Sequence, residues 1–253
     1  SDTSRNFVSS APLTIKVAAQ QLLADPTVTA RGELLGTFVF PSMDRVVHLR
    51  PGFGLGLSLS STRVYTYESI NNENRHGWHT GDGMMYLYNA DLTQFADSFW
   101  PTVNPRRLPG ITVDAAQTRA NASGQSTAPT FNWVGGASLG NVGVTGMQLD
   151  GWSNSLTAKK SWFMFDDEIV CLGAGVTSTD NRPIETIVEN RLLNAAGSNA
   201  FTVDGAAKPA ELAWSEALAG VSWAHLAGRS AGAEIGYYFP AAATDVKALR
   251  EAR

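Results

Sequence analysis

Glu68 and Asn71 lie three residues apart just beyond the strand-like run Arg63-Val-Tyr-Thr-Tyr, and Arg75, Trp78 and His79 follow soon after. A carboxylate and an amide leaving the end of one strand can converge on one ring of a bound sugar. An amide that hydrogen-bonds a carboxylate of the ligand makes the adjacent carbon-bound proton easier to remove, and a glutamate can orient an arginine or histidine for the same task. On spacing alone the plainer account leads, with Glu68 as an ion-pair partner and Asn71 as a turn residue.

The surrounding stretch, residues 65–113, packs Asn, Glu, His, Arg, Trp and Tyr between glycines with almost no aliphatic run. A core needs repeated Leu, Ile and Val, whereas a surface cleft for a sugar chain needs flat rings, amides and a few charges on a turn-rich frame. Of the seven tryptophans, Trp78 is placed to wall such a cleft, while Trp162 and Trp223 sit in strand-like runs and read as core. Arg75, Arg106 and Arg107 can meet carboxylates or sulfates, with plain surface solvation as the alternative. His48, His76, His79 and His225 form no HExxH pair and have no cysteine companions, so no metal site is expected. Gly81-Asp-Gly lacks the further acidic ligands of a calcium loop and reads as a turn. No cofactor is expected either.

The elements that must hold these groups are short strands. Only the first 30 residues read clearly as helical; within them, in the run 13–24, Ile15, Val17, Ala18, Leu22 and Leu23 suggest one apolar face. Beyond Gly32, alternating or β-branched runs separated by Gly, Asn, Asp and Pro predict strands near 33–40, 45–49, 55–59, 61–67, 162–165, 168–172, 184–190, 221–225 and 233–239. That pattern indicates a mostly antiparallel sandwich rather than a βαβ fold. A second, weak helix is expected over 209–217, with its proline in the first turn. Residues 114–130, poor in large apolar side chains, read as a long exposed loop beside the cleft, either functional or a tolerated insertion.

Composition narrows the classes. A net charge of −4 gives no reason to expect nucleic acid as a partner, so a polyanionic ligand would need a local cationic cleft. No stretch approaches the roughly 20 apolar residues of a membrane span. The single cysteine, Cys171, excludes an internal disulfide, and its apolar run predicts a buried, inert thiol. The opening SDTSRNF is not a secretory leader, so a leader, had there been one, is expected to have been removed.

Longer segments say more than the pair does. Tyr67-Glu-Ser-Ile-Asn, Gly77-Trp-His-Thr-Gly-Asp-Gly-Met, Tyr86-Leu-Tyr-Asn and Phe99-Trp-Pro-Thr-Val-Asn-Pro-Arg-Arg-Leu-Pro-Gly together resemble the signature of the polysaccharide lyases that cleave hyaluronan, chondroitin and xanthan by β-elimination. Phe40-Pro-Ser-Met-Asp-Arg-Val-Val-His precedes the block, and Ala158-Lys-Lys-Ser-Trp-Phe and Glu185-Thr-Ile-Val-Glu-Asn-Arg follow it.

The resemblance implies a large antiparallel β-supersandwich with a short N-terminal helical segment. Residues 1–30 would be a linker or the tail of an α/α toroid, and 31–253 the central lyase domain. In such enzymes the toroid carries the catalytic His, Tyr and Arg with an Asn, and nothing here matches the family's base and acid. Carried over by position, Glu68 and Asn71 are the catalytic residues of this wall. Arg75, Trp78, His79 and Arg106 are expected to bind substrate, and Asn74 to shape the turn. His79 departs from the family pattern, where Tyr or Phe is more usual. The implied partners are a uronic-acid polysaccharide such as hyaluronan or chondroitin and the toroid domain of the same enzyme, and the implied location is outside a bacterial cell. Two other readings stand beside this one: a non-catalytic carbohydrate-binding module, and a self-contained short lyase using His76, His79 or Tyr67 as its base.

Overall fold

The computed structural model describes residues 10–96 and 98–253, in two compact units that divide between Leu34 and Leu35. The smaller unit contains helix α1 (Leu13–Ala24), none of whose residues is buried. Ile15, Val17, Leu22 and Leu23, the apolar face expected from the sequence, are exposed. Twelve residues is near the length at which an isolated helix is marginal in water.

The larger unit is built from antiparallel pairs. Its first sheet orders β1 (Gly36–Phe40), β2 (Arg45–Arg50), β3 (Phe53–Ser58) and β5 (Met84–Tyr88) as a meander. The short β4 (Tyr67–Ser69) leaves this sheet to pair with β7 (Gln125–Thr127), and β6 (Thr112–Asp114) pairs with β12 (Ile184–Thr186). A second meander contains β8 (Val134–Leu139), β9 (Val142–Asp150), β10 (Thr157–Met164) and β11 (Ile169–Thr177). Towards the C-terminus β13 (Phe201–Val203), β14 (Ala206–Ala207), β16 (Val221–Leu226) and β17 (Ile235–Ala243) form a third, and β15 (Ser215–Leu218) pairs with β18 (Val246–Leu249).

The two meanders share one core. Val46, Leu55, Leu57 and Leu59 from the first meet Met147, Leu149, Ala158, Trp162 and Met164 from the second. Alternation does this work in β10, where Ala158, Lys160, Trp162 and Met164 point inward and the residues between them do not. A satellite core of Met84, Phe95, Phe99, Leu108, Ile111 and Val113 fills the space beneath the signature block. It includes the short helix α2 (Phe99–Thr102).

Several expectations give way. Residues 209–217 form no helix. Ala213 takes a left-handed φ of 66°, its N–H donates to the Arg250 carbonyl, and the Arg250 guanidinium collects the carbonyls of Pro209, Gly197 and Asn199. Contacts with the far end of the chain thus override a weak local propensity. The strand expected over 61–67 shrinks to a bridge between Ser61 and Val64, with β4 starting at Tyr67. Trp162 is core as expected, but Trp223 is 40% exposed. Cys171 lies on the exposed edge strand β11 rather than in the core. Its sulfur rests 3.8 Å from Met85 Sδ, and desolvation by its neighbours pushes the thiol pKa up to about 11.

Candidate active-site wall

Strand β4 delivers the backbone into a tight reversal. Glu73 N–H donates to the Ile70 carbonyl at 2.8 Å, and the two central residues, Asn71 and Asn72, both have positive φ (53° and 63°). Asparagine tolerates the left-handed region better than most residues, so the Asn-Asn pair is the turn chemistry this reversal demands. Asn74, also at positive φ (50°), donates from Nδ2 to the Glu68 carbonyl at 2.7 Å. It closes the turn, as expected from the sequence.

The segment 114–130, expected to be a structureless loop, is the shelf on which this turn rests. β7 pairs with β4 residue by residue, Ser123 Oγ accepts from Asn72 N–H, and Gly124 N–H donates to the Ser69 carbonyl. Arg119 inserts between two rings, 5.1 Å from the Tyr67 centroid and 4.0 Å from Trp152, with Nη2 donating to Thr127 Oγ1. Tyr67 itself is buried and donates to Gln125 Oε1. The sequence signal for this shelf was weak, because its strand pairing is non-local and only three residues long.

Against this frame the expected site residues separate. Glu68 and Asn71 are exposed on the turn. Among the described residues, neither side chain forms a hydrogen bond or ion pair, and the Asn74 contact goes to the Glu68 main chain. Arg75 is exposed too, and spends Nη2 on the Asn121 carbonyl. Trp78 is 5% exposed and packs edge-on against His76 at 5.1 Å, so its ring braces the wall and offers no open face to a sugar. His79 is mostly buried and its Nδ1 lies 2.8 Å from Asp82 Oδ2. Arg106 is half-buried, with its side chain uncommitted among the described residues, while Arg107 is locked in a bidentate pair with Glu185 at 2.7 and 2.9 Å.

Packed against Asp82, Gly83 and Gly110 is a charge that sequence reading missed. Lys160 is 6% exposed because β10's alternation points it inward. Its Nζ donates to the Gly110 and Asp82 carbonyls and lies 5.4 Å from the Trp162 ring, and desolvation lowers its pKa to about 8. Gly83 makes the space: at φ 86° it adopts a conformation other residues resist, and a Cβ there would come within 2.9 Å of Trp162. Beside the turn opens a cleft of about 570 Å³, with Asn74 and Thr80 on its rim and Trp100 on its wall.

Residues 35–253 match the model of polysaccharide lyase family 8, super-sandwich domain. The chain belongs to that family. Among its relatives, a xanthan lyase of Bacillus sp. (strain GL1) is 47% identical over 236 residues, covering 93% of this chain and 25% of that protein. A hyaluronate lyase of Thermasporomyces composti is 39% identical over 237 residues, covering 93% and 30%. Solved structures agree in fold. A Paenibacillus xanthan lyase superposes with a TM-score of 0.86 at 55% identity, covering 99% of this chain and 24% of that one. A Streptomyces coelicolor A3 chondroitin AC lyase in complex with chondroitin sulphate does so at 0.68 and 37%, covering 90% and 28%. The chain therefore spans less than a third of the length of these family 8 relatives.

Proposed function

We propose that this chain is the β wall of a family 8 polysaccharide lyase that cleaves a uronic-acid polymer by β-elimination. One observation carries the reading: on a turn whose other polar groups are largely committed to holding its shape, Glu68 and Asn71 present uncommitted side chains to solvent. The Asn71 amide donates to the uronate carboxylate, which stabilises the charge that builds up as the C5 proton leaves. The electron pair forms the C4–C5 double bond, the bond from C4 to the glycosidic O4 breaks, and O4 takes up a proton. Base and acid come from a helical toroid of the same enzyme, and Glu68 orients a cation from that side. Hyaluronan or chondroitin fit this chemistry, as does xanthan, and a xanthan lyase is among the relatives that support it. An enzyme acting on such polymers works outside the cell.

A second reading, a self-contained short lyase, has one observation in its favour. The His79–Asp82 contact is the arrangement in which a carboxylate orients an imidazole base. Ultraviolet absorbance of the unsaturated uronate product separates the two. The two-part enzyme gives a flat trace with this chain alone and a rising one when the helical domain is added. A rise with the chain alone that disappears in His79→Ala would replace it with the self-contained enzyme.

A further inference from the structure

The cleft beside the turn is lined by segments of the signature that no step of the elimination uses. Phe40 and Met43, on the hairpin between β1 and β2, are exposed at its mouth. Trp100 is 44% exposed, and the ring is not loose. Its Nε1 donates to the Phe95 carbonyl at 3.0 Å, and Phe99 packs edge-on against it at 5.2 Å and 89°. Tyr86 stands beside it with ring centroids 6.4 Å apart. A half-exposed indole with its one donor satisfied and its plane fixed is a stacking platform, because apolar C–H faces can pack on it without leaving a polar atom unpaired.

Charge selects among ligands that have such faces. Among the described residues no Asp or Glu lines the cleft, and Arg45 is the one cation that does. Nη1 of Arg45 is held by the carbonyls of Met43, Asp44 and Leu59 at 3.0, 3.0 and 2.7 Å, so the guanidinium is fixed in place. The neighbouring Asp44 carboxylate is turned away, accepting from Ser61 Oγ and pairing with Arg63. The site thus offers fixed rings, one fixed positive charge and an amide at the rim, where Asn74 is tied to the strand that carries Glu68. A volume of about 570 Å³ lies in the ordinary range for small-ligand sites.

From this juxtaposition we infer that the Trp100 cleft is a second carbohydrate subsite, which takes a carboxylate-bearing sugar ring of the same chain that lies across Glu68 and Asn71. The ring stacks on Trp100 with Phe40 and Met43 around it, and its carboxylate faces Arg45. The inference rests on the lyase reading for its substrate class but makes a separate claim about where affinity resides.

The test uses the 253-residue chain with three probes: a saturated hyaluronan hexasaccharide, the glucuronate-containing xanthan repeat pentasaccharide, and uncharged cellohexaose. Binding is measured by titration calorimetry, and the Trp100 indole N–H resonance is followed by NMR. At least one acidic probe should bind and move that resonance, more tightly than cellohexaose and with an affinity that falls as salt is added. Trp100→Ala should weaken binding about tenfold, and Trp100→Phe by no more than about threefold. A Trp100 resonance that stays still at saturation, unaltered affinity in a folded Trp100→Ala protein, or failure of every acidic probe to bind would each overturn the subsite. If Trp100→Ala does not fold, the resonance in the unmutated protein decides alone. The lyase reading stands or falls separately. Oligosaccharide bound at Trp100 without any unsaturated product once the helical domain is added would remove that reading and leave the subsite. Product formed equally well by Trp100→Ala at all substrate concentrations would do the reverse.

Discussion

Residues 68–75 and residues 77–83 are adjacent pieces of one signature, and they do opposite things. In the first, Glu68 and Asn71 are exposed, with side chains uncommitted among the described residues. In the second, Gly77, Trp78, Gly81, Asp82 and Gly83 are buried, His79 is bound to Asp82, and the Asp82 carbonyl receives Lys160 from a strand 78 residues away. One piece presents side chains to solvent and the other is packed and hydrogen-bonded into the body of the domain. A signature read as a single functional unit is therefore two, and mutation should separate them: changes in the brace register as lost stability, and changes in the turn as lost activity at constant stability.

The largest effect belongs to the brace. A Cβ added at Gly81 would sit 2.6 Å from the Thr66 Cα, main chain that cannot swing aside. Gly81→Ala should cost about 3 kcal/mol in urea unfolding, the upper end for overpacking. A loss below about 0.5 kcal/mol would show that the two segments slide freely and that the brace is not rigid. Next comes the turn. Because Asn71 has positive φ (53°), alanine there would confuse backbone strain with loss of the amide, so Asn71→Gly is the cleaner change. With the helical domain present, Asn71→Gly and Glu68→Gln should each lower kcat by about 100-fold and leave the thermal midpoint nearly unmoved. Midpoints that fall together with activity would place both residues in the brace and abolish the distinction.

The sequence carried the turn better than its support. Asn71 and Asn74 as turn residues are local matters of composition and spacing, whereas Glu68 and Asn71 as site residues came from the resemblance of longer segments, and the β-rich fold followed from short runs bounded by Gly, Asn and Pro. Trp78 misled because a tryptophan in a polar, glycine-rich stretch looks exposed, while its actual burial depends on packing that no local pattern records. Trp100 had no reading of its own in the sequence, and the fold leaves its ring half-exposed while its neighbour Phe99 takes the core position. The strands 134–139 and 142–150 went unseen because their glycines break the alternation that marks a strand. In the folded chain those glycines admit neighbours at close range: a Cβ at Gly146 would come within 2.7 Å of the Trp133 ring. Lys160 lay in plain sight, and period-two counting from Trp162 would have put it inside.

That lysine yields the smallest effect and the sharpest test of the brace. Its pKa in the folded protein is about 8 against 10.5 for an unperturbed lysine, so between those values the unfolded chain binds more protons than the native one. Stability must then rise with pH across that window, being lowest below 8, where the native state holds a buried ammonium against the cost of desolvation. Cys171 opposes it from pH 9 upward, because its thiol shifts from 9.0 to about 11 on folding and the unfolded chain ionises first. The clean window is therefore pH 8 to 9, where unfolding free energy should climb by about 1 kcal/mol. Lys160→Met should flatten that climb, and Cys171→Ala should extend it towards pH 10. A flat profile in the unmutated protein would mean that Lys160 reaches water, and that the floor beneath Gly83 is softer than its hydrogen bonds to Gly110 and Asp82 imply.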